Sequence, residues 1–163
     1  MSKITQFEDL ICWQKARVLV NNIYFITKSG PLSKDFGLKN QLRRAAVSAM
    51  TNIAEGFSRF HRKEFIRFLD ISQSSAMEVK SLLYIILDQN YLENDKVTAV
   101  QNDTEEVRAI TMGLLKHVNN SISNNKVSEP IAEYGFNQNC WDIPDEYISR
   151  EDSNTKTPEH LNI

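Results

Sequence analysis

The residue types in this chain that could carry catalysis or bind a metal are three histidines, two cysteines and one cluster of acids. A di-iron site in a helical protein needs inward glutamates and Glu-x-x-His pairs, which place both ligands on one helix face. Three residues before His61, His117 and His160 stand Ser58, Leu114 and Thr157, so no such pair exists. Asp103, Glu105 and Glu106 crowd together without a histidine or a facing helical acid, as on a solvated helix face. Cys12 falls within an apolar stripe and Cys140 within a tail. Neither stands beside a histidine or an obvious basic activator, so a nucleophilic thiolate is not indicated. Five isolated glycines supply no phosphate-cradling loop. No catalytic residue, metal ligand or cofactor is expected.

What remains is positive charge. The whole chain carries 19 basic and 21 acidic residues, for a net charge of −2, but the distribution is uneven. Between Lys28 and Arg67 the acids are only Asp35, Glu55 and Glu64, while Lys28, Lys34, Lys39, Arg43, Arg44, Arg59, Arg62, Lys63 and Arg67 are basic. The segments that follow are acidic. Such a block marks a candidate surface for a polyanion, with Lys39, Arg43, Arg44, Arg59, Arg62, Lys63 and Arg67 as candidate phosphate contacts. Arg62 and Lys63 fall near the start of a helix, where the dipole disfavours cations unless something negative lies near. Phe57 and Phe60 interleave with this group and offer aromatic faces for stacked bases. The competing reading is a solvated turn neutralised by the acidic tail.

The elements that position these residues are helical. Few glycines and prolines argue against a strand-rich fold. Cys12, Ala16, Leu19, Ile23 and Ile26 recur at steps of three and four, predicting a helix from Phe7 to about Ser29, ended by Gly30-Pro31. Ser33 can cap a second helix whose core stripe is Leu38, Leu42, Ala45, Ala49 and Ile53, and Gly56 can terminate it. A third runs from about His61 to Gln89, broken at Asn90-Tyr91-Leu92, and a fourth from Asn94 to about Val118. Short connections join antiparallel neighbours, so the expected fold is all-α, an up-down-up-down four-helix bundle over residues 1–118. Residues 119–163 read as an acidic, mostly irregular C-terminal tail. Its Tyr134, Phe136, Trp141, Ile143 and Tyr147 are too apolar for a spacer and are expected to dock, while the last dozen residues look disordered by composition.

Two helices carry a second apolar line: Phe7, Ile11, Val18 and Phe25 on the first, and Val47, Met50 and Ala54 on the second. Four helices leave no central position for such faces, so self-association is expected through them. No apolar run approaches 18 residues and no leader opens the chain, which points to a cytoplasmic protein without membrane contact.

Three stretches carry a resemblance. Phe7-Glu8-Asp9-Leu10-Ile11-Cys12-Trp13-Gln14-Lys15-Ala16-Arg17 is the first. Gly37-Leu38 with Gln41-Leu42-Arg43-Arg44-Ala45-Ala46-Val47-Ser48 is the second, and Asn52-Ile53-Ala54-Glu55-Gly56-Phe57 the third. In this order, and with Ser74-Ser75-Ala76-Met77-Glu78 in the third helix, they resemble the bacterial four-helix bundle proteins, also called intervening-sequence proteins of large-subunit ribosomal RNA. The resemblance covers about residues 6–118. It implies a ring-like homopentamer without known catalytic activity, some of whose genes lie inside insertions in ribosomal RNA genes. It is also similar to a related branch, the accessory variability determinants of diversity-generating retroelements, which implies RNA or DNA and a reverse transcriptase as partners of basic surfaces. The motif positions here are Arg43, Arg44, Asn52, Glu55 and Gly56, with Asn52 and Glu55 expected as structural polar groups near the core or a subunit contact. The tail departs from the family pattern.

Two functions compete on this reading: a non-catalytic homo-oligomer that binds nucleic acid, RNA first, and an adaptor whose basic face docks an acidic protein or its own tail.

Overall fold

The computed structural model describes residues 2–59, 61–124 and 141–149. Four helices, α1 (Ile11–Ile26), α2 (Phe36–Ser58), α3 (Arg62–Asp88) and α4 (Asn94–Asn124), form the all-α bundle. α1 packs on α2 and α4, and α3 packs on the same two. The core is the set of stripes read from periodicity. Cys12, Ala16, Leu19, Ile23 and Ile26 are all buried, as are Leu38, Leu42, Ala45, Ala49 and Ile53. They meet Phe65, Leu69, Ala76, Val79, Leu83 and Ile86 of α3 and Val97, Val100, Val107 and Leu114 of α4. Removing such side chains from water stabilises the fold by about 1.5–3 kcal/mol for each large one.

Several boundaries differ from the sequence expectation. Phe7–Asp9 is a separate 3-10 turn, and extended Leu10 (φ −75, ψ 121) breaks the phase before α1. Phe7 therefore does not continue the line of Ile11 and Val18; its ring packs edge-on against Trp13, with centroids 5.0 Å apart. The cap of α2 is Asp35, whose Oδ1 accepts the Leu38 N–H at 3.0 Å, while Ser33 lies in a preceding 3-10 turn, Pro31–Lys34. The other Asp35 oxygen accepts the Tyr91 hydroxyl at 3.2 Å, tying the α3–α4 connection to the start of α2. α3 ends where expected, in a paired C-terminal turn: Asn90 takes φ 53, its N–H donates to Leu87 O, and the Tyr91 N–H donates to Ile86 O. α4 continues past Asn119 to Asn124.

Gly56 does not end its helix, which runs on to Ser58. A Cβ at Gly56 would stand 2.6 Å from the Phe68 Cβ and 3.0 Å from the Phe65 ring, so the glycine lets α3 approach α2 closely. Further along this seam, Ser72 donates to Ala49 O at 2.6 Å, and the Ser48 and Ser75 hydroxyls meet at 2.9 Å. Asn52 is half-buried and donates to Ser48 O at 2.8 Å.

Part of the tail docks. β2 (Trp141–Ile143) pairs antiparallel with β1 (Ser2–Ile4), and Ile148 bridges Leu10. Ile4, Leu10, Ile143 and Ile148 are buried together with the core. Tyr147 lies over Gly113 of α4, where a Cβ would meet its hydroxyl oxygen at 2.7 Å. Tyr134, Phe136 and residues 151–163 lie outside the described residues.

Candidate nucleic-acid interface

The basic block does not form one patch. Lys39 and Arg43 lie in the first turns of α2 and Arg59 just past its end, and Arg43 and Arg59 are separated by about 24 Å of helix axis. The bundle topology sends these groups to opposite ends of the molecule.

At the α2–α3 end stand Arg59, Arg62, Lys63 and Arg67. Arg59 pairs with Glu55 at 2.7 Å and Arg67 with Glu64 at 3.2 Å, both pairs about half-exposed. The two guanidinium groups also flank the Phe68 ring, at 5.4 and 4.7 Å from its centroid. Exposed pairs of this kind contribute about 0–1 kcal/mol each, so either carboxylate is readily exchanged for a phosphate. Arg62 and Lys63 open α3 with no ion-pair partner among the described residues, and Lys63 is exposed. Within one chain Glu55 is an exposed ion-pair partner of Arg59, away from the core; the structure is of a single chain and places it at no subunit contact. Phe57 offers no face to a ligand: it is buried against Phe65, with centroids 6.1 Å apart. Phe60 lies outside the described residues.

At the α1–α2 end the cations are held by aromatic rings. Arg43 Nε donates to Thr27 Oγ1 at 2.7 Å, and its guanidinium lies 4.4 Å from the Tyr24 centroid. Thr27 is buried and its hydroxyl donates to Ile23 O at 2.7 Å, so Arg43 also fastens the end of α1. Lys39 Nζ donates to Ser33 O at 2.9 Å and sits 4.4 Å from the Phe36 centroid. Lys28 sits 4.2 Å from the Phe25 centroid. Arg44 is exposed on another face of α2, beyond this row. Sequence reasoning passed over Tyr24 and Phe36. The available signal was Phe36 lying off the Leu38–Leu42–Ala45 stripe and three residues before Lys39, a spacing that puts both on one helix face.

The residues first weighed for chemistry fall apart spatially. Asp103, Glu105 and Glu106 point to different neighbours. Asn22 donates to Asp103 at 2.8 Å, Lys80 donates to Glu105, and Lys15 pairs with Glu106 at 2.8 Å. Burial pushes the Asp103 carboxyl above its ordinary value, whereas the Lys80 hydrogen bond draws Glu105 below its own. Burial pushes the Cys12 thiol up to about 12, leaving it protonated and unreactive at neutral pH. Among the described residues no group of three or more His, Cys, Asp or Glu is placed to hold a metal ion, and no helix is long and apolar enough to cross a membrane.

The second apolar lines face different directions. Val47, Met50 and Ala54 are half-buried on the side of α2 that carries Arg43 toward α1. Ile11 and Val18 lie one turn before Lys15 and Asn22, on the α4 side of α1. Val18 is 40% exposed and Ile11 half-buried.

Comparison with known proteins agrees with the fold. No curated protein matches the chain. A crystal structure of a protein with unknown function from the S23 ribosomal protein family of Bacteroides thetaiotaomicron is similar to it, with a TM-score of 0.57 and 24% identity. The match covers 65% of this chain and 99% of that one, and the likeness is one of fold. The family model of the 23S rRNA-intervening sequence protein matches residues 8–113, from the 3-10 turn before α1 to the glycine under Tyr147. The chain therefore belongs to the 23S rRNA-intervening sequence protein family.

Proposed function

We propose that this protein is a non-catalytic, self-associating four-helix bundle that binds nucleic acid, RNA first, through phosphate contacts at the α2–α3 end. The observation that carries this reading is the state of the cations there. Among the described residues Arg62 and Lys63 have no ion-pair partner, and they stand at a helix start that repels them, beside Arg59 and Arg67 in exchangeable surface pairs. A phosphate placed among them relieves their mutual repulsion and meets the helix dipole favourably. The family's association with ribosomal RNA in its name supports RNA as the first ligand to try.

Self-association uses the two apolar lines. Because they face different directions, they suit a heterologous contact, α1 of one copy against α2 of the next, and repetition of such a contact closes into a ring. The pentamer implied by the resemblance is one such ring.

Two measurements test this reading. Binding of a labelled structured RNA to the full-length protein should weaken by orders of magnitude between about 50 and 200 mM salt, as counterion release requires. Arg59→Glu, Arg62→Glu and Lys63→Glu together should weaken it by orders of magnitude; salt-insensitive binding, or an unaffected triple variant, contradicts the reading. Light scattering should give a multiple of the 18.8 kDa chain mass. Val47→Glu with Met50→Glu should reduce it toward one chain.

A further inference from the structure

The rings left in water at the α1–α2 end are not explained by folding. Phe36 is 68% exposed, Tyr24 44% and Phe25 38%. Each carries a cation 4.2–4.4 Å from its centroid. Two of those cations are fixed by a second bond, Lys39 to Ser33 O and Arg43 to Thr27 Oγ1. Phe36, Lys39, Arg43 and Tyr24 thus form a row along one face of α2 and across to α1, about 10 Å long on α2.

We infer that this row is a stacking platform for unpaired nucleotides, a second contact surface that rests on the nucleic-acid reading above. A single strand needs two things from a protein: aromatic faces that take bases of any sequence, and cations beside them that take the phosphates. Both are present here in alternation. A duplex keeps its bases stacked on one another and cannot use the rings, so the platform selects single strands over double ones. Local charge agrees. The one acid in this segment, Asp35, has its carboxylate occupied by the Leu38 N–H and the Tyr91 hydroxyl. At the same end Asp88, Glu93 and Asp95 flank the α3–α4 connection, which Tyr91 ties to Asp35, and Lys96 stands 3.9 Å from Glu93. These acids disfavour a phosphate backbone over the α3–α4 connection, so the strand's path runs from Phe36 toward Tyr24 on α1.

The test uses the full-length protein and fluorescence anisotropy with three probes about a dozen nucleotides long: oligouridine, oligothymidine and an RNA duplex. Tyr24→Leu with Phe36→Leu removes two rings from exposed positions, and thermal melting checks that the fold is kept. Affinity for the single strands should fall about tenfold for each ring lost, with duplex affinity unchanged within about twofold. Equal loss on oligouridine and oligothymidine is expected for stacking, and loss on one alone assigns the surface to RNA or to DNA. An unchanged single-strand affinity overturns the inference, as does equal loss on the duplex. A drop in oligomer mass in the same variant also overturns it, by making the rings a subunit contact. Failure of the two readings is distinguishable: wild-type protein silent on every probe sinks both. Wild-type protein that binds the duplex, together with a ring variant that binds single strands normally, sinks this one alone.

Discussion

The two ends of the bundle hold similar numbers of cations and use them differently. At the α2–α3 end Phe57, Phe65 and Phe68 turn inward and are buried, and Arg59 and Arg67 are matched with acids one turn away. At the α1–α2 end the rings turn outward and the cations lie against them. The cause is local. Gly56 removes a side chain where α2 meets α3, the helices close up, and Phe65 and Phe68 fill the contact. The α1–α2 connection is a nine-residue link through Gly30, Pro31 and a 3-10 turn, and it leaves Phe36 largely exposed at a helix start, with the Lys39 ammonium against its ring. A run of like charge in sequence can therefore become two surfaces of different character.

Substitutions at the two ends should separate accordingly. Phe65→Ala should cost about 3–5 kcal/mol of stability in chemical denaturation, because a fully buried ring leaves a cavity. Phe36→Ala, by contrast, should stay within about 0.5 kcal/mol and be seen only in binding. Ile143→Ala, in the ribbon that covers Ile4 and Leu10, should cost about 2–4 kcal/mol although it lies in the tail. A cost near zero would mean that the ribbon is not part of the cooperative fold. Gly56→Ala adds helix propensity worth about 1 kcal/mol. It should nevertheless lower stability by about 1–2 kcal/mol, since its Cβ would overlap Phe68. A more stable variant would show that the close approach is slack.

The smallest effect concerns Asp103, midway between the ends. Its folded-state pKa is raised, chiefly by burial, so the folded chain keeps this proton to higher pH than the unfolded chain. The stability from this group is fully present below the ordinary value of 3.8 and is lost as pH rises through the raised one. Asp103→Asn keeps an oxygen for Asn22 and removes the half-buried charge, so it should raise the melting temperature slightly at pH 7. The gain should vanish below about pH 4.

Helix number, order and core stripes were legible because an apolar repeat at three and four residues is a local property. What was not legible depended on distant partners. Gly56 reads as a terminator until Phe68 is placed over it. Phe57 reads as a surface ring until Phe65 is found beside it. Phe7 fits a helical line only if Leu10 is helical, and Leu10 is extended because it pairs with Ile148 at the far end of the sequence. The pairing of Ser2–Ile4 with Trp141–Ile143 leaves no mark in either short segment beyond apolar residues. Of the candidate site residues, Arg59, Arg62, Lys63 and Arg67 lie at one end, whereas Lys39 and Arg43 lie at the other, against the exposed rings of Phe36 and Tyr24, which no apolar repeat singles out.

The proposed division of labour between the ends is tested most directly by photocrosslinking. A 4-thiouridine-substituted oligouridine would be irradiated with the full-length protein and the modified peptides identified by mass spectrometry. Base crosslinks should fall on peptides that contain Tyr24 or Phe36, and should persist when Arg59, Arg62 and Lys63 are changed to glutamate while overall affinity drops. Crosslinks confined to the α3–α4 connection or the tail ribbon, or none at concentrations where the oligonucleotide is bound, would contradict the account.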